Sequence, residues 1–100
     1  MRWGESPLDK LSNRALDAIE AKHYVEAAKL CRRLLQRYPE ALDGHERTAM
    51  LREAQGRFAE AVAHYDQMLA MLRDQPQGTD EDTVREITRM RDAALQQATP

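Results

Sequence analysis

The chain has 100 residues, with 15 basic against 17 acidic side chains and a formal net charge of −2. This size favours a single domain, and the charge balance excludes a protein that holds nucleic acid through overall positive charge. No apolar run approaches the ~18 residues that a membrane span requires, and the one cysteine, Cys31, cannot form an internal disulfide. We therefore expect a cytoplasmic protein that does not enter membranes.

Five helices are predicted. Four of them show apolar residues at helical spacing, the third is the least apolar, and the scarcity of Ile and Val argues against strands. They span residues 7–21, 24–38, 40–55, 58–74 and 80–98. Ser6 and Asp9 form a capping-box pattern at the first start. Pro39 separates the second helix from the third, and Gly56 is suited to end the third. Because the connections are short, we expect antiparallel neighbours.

The start of the fifth helix and the beginning of the chain carry weaker local signals. Thr79 is the expected cap of the fifth helix, with Asp82 at the capping-box position. Trp3 is expected to pack over the first helix. Both predictions concern the start of a helix, and neither identifies a binding surface.

A shift of 34 residues superimposes one half of the chain on the other. The matched pairs are Leu8 and Leu42, Asp9 and Asp43, Ala15 and Ala49, Tyr24 and Phe58, Glu26 and Glu60, Ala27 and Ala61, Cys31 and Tyr65, Leu34 and Met68, and Leu35 and Leu69. Two units of two helices each are therefore predicted, over residues 8–41 and 42–75.

The segments 24–28 and 56–62 resemble the tetratricopeptide repeat, a helix-turn-helix unit of ~34 residues. The resemblance implies that Gly56 ends a first helix, that Tyr24 and Phe58 pack between paired helices, and that small residues lie where the helices cross. It implies an all-α superhelix of five antiparallel helices in one domain, residues 1–100, with a capping helix over 80–98. Lys22 departs from the pattern, because glycine is usual there.

The resemblance also implies a concave groove, lined by the first helix of each repeat. The matching positions are Asp9, Ser12, Leu16, Ile19, Glu20, Asp43, Glu46, Met50, Glu53 and Ala54. Half of them are acidic and none is basic, so we expect a peptide or helix with apolar anchors and basic flanks. Leu16, Ile19 and Met50 would contact the apolar side chains. The alternative is that the acids are ordinary solvated residues and that Leu16 and Ile19 belong to the core.

No arrangement of residues indicates catalysis, a cofactor or a small-molecule substrate. His23, His45 and His64 lack the spacing of metal ligands, and no glycine-rich phosphate loop is present. Cys31 lies on an apolar helix face, which favours a buried, inert thiol. The sequence therefore predicts a non-catalytic module for protein–protein interaction, without metal or cofactor.

Three alternatives stay open. Residues 40–95 resemble the helical activation domain of some bacterial transcription regulators, which suggests a regulatory domain acting with such a protein. The second helix carries an exposed basic face of Lys29, Arg32, Arg33 and Arg37, but no interleaved aromatic residues favour nucleic acid. Self-association into a homodimer through the repeat ends is the third.

Overall fold

The computed structural model describes residues 4–75, 77–78 and 80–99 and consists of five α-helices in this part of the chain. They are α1 (Pro7–Glu20), α2 (Tyr24–Arg37), α3 (Asp43–Ala54), α4 (Phe58–Arg73) and α5 (Glu81–Ala98). No strand occurs among these residues, so the all-α prediction is confirmed. Trp3 and Thr79 lie outside the described residues.

The helix ends follow from local hydrogen bonds. The Asp9 N–H donates to Ser6 Oγ at 3.1 Å and the Ser6 N–H donates to Asp9 Oδ2 at 3.2 Å, which confirms the capping box of α1. The predicted start of the third helix at residue 40 was wrong. The chain turns after Pro39, where the Ala41 N–H donates to the Tyr38 carbonyl at 3.1 Å, and α3 begins only at Asp43.

The cap of α5 also differs from the prediction. Asp80 is the N-cap, and its side chain accepts a hydrogen bond from the Asp82 N–H at 3.0 Å. A carboxylate satisfies a free helix N–H and complements the positive end of the helix dipole. The cap is therefore one residue further along than the predicted Thr79.

The turn inside each unit needs a left-handed residue. Gly56 ends α3 with φ 75°, as predicted, and Lys22 takes the corresponding place after α1 with φ 62°. Glycine adopts this conformation without steric cost, whereas a residue with a Cβ does not. The departure of Lys22 from the repeat pattern therefore leaves the backbone path unchanged but strains it.

Each helix packs against the next one in the chain, and α1 also packs against α3. The first core cluster is aliphatic apart from Cys31 and joins α1, α2 and Leu51 of α3. The second joins α3, α4 and α5 and includes Tyr65, Met68 and Ile87. Four alanines are fully buried at matched positions of the two units: Ala15, Ala27, Ala49 and Ala61. Their small side chains let the paired helices approach closely.

The two units meet closely where α2 packs against α3. Gly44 is buried, and a Cβ placed on it would lie 2.7 Å from Leu35 Cδ2 and 3.1 Å from the Leu35 backbone nitrogen. This glycine is required for space and not for an unusual φ. In the described part of the chain, no helix combines the length and apolar character needed to cross a membrane.

Candidate functional site

The ten predicted groove residues lie on α1 and α3 but differ widely in exposure. Asp9, Glu20 and Ala54 are exposed, and Leu16, Asp43, Glu46, Met50 and Glu53 are half-buried. Ser12 and Ile19 are buried, with 2% and 7% of their surface exposed, and Ile19 belongs to the first core cluster. These two side chains therefore offer almost no surface to a partner, and Asp9 is engaged in the cap of α1.

A guanidinium lies across the contact between α1 and α3. Arg47 Nε donates to Ser12 Oγ at 3.0 Å, and Nη1 donates to Met50 Sδ at 3.2 Å. The side chain is only 14% exposed, and Nη1 lies 3.6 Å from a carboxylate oxygen of Glu46. The predicted set contained no base, so sequence reasoning missed Arg47. Helical spacing could have found it, since residues 43, 47, 50 and 54 share one face of α3.

Glu53 is also less available than the groove prediction implies. The buried hydroxyl of Tyr65 on α4 donates to Glu53 Oε1. Burial, together with this carboxylate, raises the pKa of Tyr65 above its ordinary value. Glu53 therefore joins α3 to α4, and its carboxylate is partly committed to this bond.

A shallow pocket of about 280 Å³ lies among α3, α4, α5 and the residue preceding α3. Four apolar side chains and one threonine contribute to it: Leu42, Met68, Ile87, Met90 and Thr83. The charged residues that line it in the described part of the chain are all acidic: Glu46, Asp82 and Glu86. We call this feature the acid-rimmed pocket. The pocket shares Glu46 with the predicted groove, and it adds residues of α5 that the prediction did not include.

The rim stays acidic although each of its three carboxylates has an arginine partner, Glu46 being 3.6 Å from Arg47, which does not line the pocket. Asp82 pairs with Arg85, and Glu86 pairs with Arg89, whose guanidinium lowers the pKa of Glu86. Both arginine side chains are about 70% exposed and do not line the pocket. Exposed pairs of this kind are weak, so an incoming cation can compete for the carboxylates.

Two of the three histidines, which seemed scattered along the sequence, come together between α3 and α4. His45 Nδ1 and His64 Nδ1 are 3.0 Å apart, and both rings are half-buried. Burial lowers the pKa of both imidazoles, and His45 lowers that of His64 further. The 34-residue spacing could have predicted this contact, because positions 45 and 64 correspond to the buried Leu11 and Leu30 of the first unit.

The remaining candidate groups lie apart from the acid-rimmed pocket. Cys31 is buried, and burial raises the pKa of its thiol, which keeps it protonated and unreactive. Within the described residues, no three His, Cys, Asp or Glu side chains are arranged to hold a metal ion. The four basic residues of α2 are all exposed: Lys29, Arg32, Arg33 and Arg37.

Comparison of the chain with protein-family models, with curated proteins and with solved structures gives no significant match.

Proposed function

We propose that this protein is a non-catalytic interaction domain that binds a peptide or helix of a partner protein at the acid-rimmed pocket. The observation that carries the proposal is the composition of that pocket, an apolar floor beneath carboxylates. Apolar contact supplies affinity, and the carboxylates supply a preference for cations around the anchor.

The pocket indicates the chemistry of the partner. A volume of about 280 Å³ lies near the lower end of ligand sites, roughly 300–1,000 Å³, so it suits one or two apolar side chains. Met90 is half-buried and has a flexible thioether that adapts to different shapes. We infer a partner segment with a Leu, Ile or Met anchor flanked by Lys or Arg.

Several features support a tetratricopeptide-like arrangement as part of this proposal. The 34-residue spacing, the left-handed residues 22 and 56, and the matched buried alanines all fit two stacked helix pairs followed by one further helix. A single buried cysteine fits a reducing compartment, and we assign the activity to the cytoplasm on that basis.

The test is an array of helical peptides in which a Leu or Met anchor is flanked by either Lys and Arg or by Glu and Asp. Wild-type protein is expected to retain the basic peptides. The double variant Glu46→Lys, Glu86→Lys should lose this binding about tenfold or more, because two charges of the rim are reversed. Affinities are measured by fluorescence anisotropy at two salt concentrations, since screening weakens charge selection.

A matched control carries the same change in net charge elsewhere. Glu26 and Glu40 are exposed and lie outside the pocket, so Glu26→Lys, Glu40→Lys should bind as wild type does. Both variants are first checked for helical content by circular dichroism. Equal loss in the two variants would show a general charge effect, and equal binding of acidic and basic peptides would contradict the proposed partner chemistry.

A further inference from the structure

The two imidazoles of His45 and His64 face each other in line. Their Nδ1 atoms are 3.0 Å apart and their ring centroids are 5.3 Å apart. In a five-membered ring with bonds of about 1.33 Å, each atom lies about 1.1 Å from the centre. The Nδ1–Nδ1 distance plus one ring radius at each end reproduces the observed centroid separation. Both Nδ1 atoms therefore lie close to the line that joins the two ring centroids.

This geometry is that of an N–H···N hydrogen bond and not of two ligands on one metal ion. A shared ion at about 2.05 Å from both nitrogens would draw the centroids to about 4.7 Å for the same nitrogen separation. The lone pairs would then converge beside the contact instead of along it. One ring therefore donates through Nδ1–H and the other accepts at Nδ1, which requires different tautomers.

The pair can accept one proton without losing its bond, but not two. A first proton at Nε2 of the donor ring makes an imidazolium that still donates to the neutral Nδ1 of its partner. A second proton would have to occupy the accepting Nδ1. Two N–H groups would then point at each other across 3.0 Å, and the contact would open.

The surroundings do not favour the doubly charged state. On α3, Arg52 repels a cation at His64, and on α4, Glu60 attracts one. Glu60 is itself paired with Arg52 at 3.2 Å and with Arg57 at 2.6 Å, so its charge is largely compensated. Among the described residues of α2 and α5, no charged group shifts the pKa of either histidine.

We propose that His45 and His64 form a proton-sensitive clasp between α3 and α4, closed with one or no added proton and opened by the second. The clasp concerns the packing of α3 against α4 in the second unit, and it does not depend on the proposed peptide-binding function. Since α3 carries Glu46 and α4 carries Met68, opening would also separate two sides of the acid-rimmed pocket.

The direction of the pH effect follows from proton linkage. Unfolded histidines titrate near 6.5, and burial lowers the pKa of both in the folded chain. The stabilisation is therefore complete above about pH 6.5 and is lost as the pH falls below it. For each proton that only the unfolded chain binds, the unfolding constant rises about tenfold per pH unit.

The first test is imidazole ¹⁵N NMR of the full chain above neutral pH. One of the pair is expected as the Nδ1–H tautomer and the other as Nε2–H, and on acidification the two should titrate in separate steps. If both rings are Nε2–H tautomers, or if both titrate together in a single step, the clasp does not exist. This measurement needs no substitution.

The second test compares urea unfolding between about pH 7.5 and 5 in four proteins: wild type, two double variants and one control. The double variant His45→Leu, His64→Leu places the leucine pair of the first unit in the second, and His45→Asn, His64→Asn keeps polar side chains without titration. On acidification over this range, the increase in the unfolding constant should be at least about tenfold larger in wild type than in either double variant. His23→Gln, which alters an exposed histidine, should retain the wild-type slope. Equal slopes in all variants would overturn the proposal.

Discussion

The two units share a backbone plan but are held together by different chemistry. In the first unit, Leu11 and Leu30 are buried in an aliphatic cluster. At the matched positions of the second unit, His45 and His64 form a hydrogen bond between α3 and α4. The same helix pairing therefore tolerates either an apolar or a polar contact, provided that the polar groups satisfy each other.

A second pair of matched positions repeats this contrast. Ile19 and Cys31 are buried in the first unit, whereas Glu53 accepts a hydrogen bond from the buried Tyr65 in the second. The second unit thus adds side-chain hydrogen bonds of defined geometry to its apolar cluster, whereas the matched positions of the first unit rely on non-directional burial. The second unit also adjoins the acid-rimmed pocket, so the groups that can respond to pH or to a ligand are concentrated there.

The largest expected effect tests whether the two units unfold together. Leu34 and Met68 are matched, almost fully buried residues of the two core clusters. Replacing either by Ala should lower the free energy of unfolding by about 2–5 kcal/mol, in one urea transition followed by circular dichroism. Val25→Ala changes a side chain that is 74% exposed and should cost less than about 0.5 kcal/mol. A two-step transition in only one variant would show that the units are independent.

A smaller effect tests the polar contact of the second unit. Tyr65→Phe leaves the Glu53 carboxylate without its buried donor and should cost about 1–3 kcal/mol. Tyr24→Phe is the control, because Phe58 already fills the matched position. A double-mutant cycle with Glu53→Ala, which removes the acceptor, measures the coupling by urea unfolding, and additive single effects would show that this contact stabilises nothing.

The smallest effect concerns the strained turn. Lys22→Gly should raise the free energy of unfolding by about 1 kcal/mol, because glycine adopts a positive φ without strain. Gly56→Ala should lower it by a similar amount in the second unit, where the backbone has φ 75° and no neighbour obstructs a Cβ. If both substitutions raise, or both lower, the free energy of unfolding, then the positive φ does not determine the stability of this turn.

Local sequence patterns were sufficient for the helices and for most of their ends. Apolar periodicity placed four of the helices, and Pro39 and Gly56 bounded the third. The Ser6–Asp9 pair began α1 and Gly56 ended α3, because these signals act within about one turn of helix. The predicted start of α3 was misplaced because no such local signal marks it. The turn after Pro39 depends on backbone hydrogen bonds that carry no residue-specific signal.

What the amino-acid sequence determined by itself was therefore the all-α class and the approximate bounds of the helices. Only the tertiary structure decided that Arg47 reaches Ser12, that two of the scattered histidines meet, and that α5 completes a pocket with Glu46. Helical periodicity assigns a residue to a face of its own helix. The side chain that lies opposite depends on the rotation and crossing of two helices, which no single segment encodes.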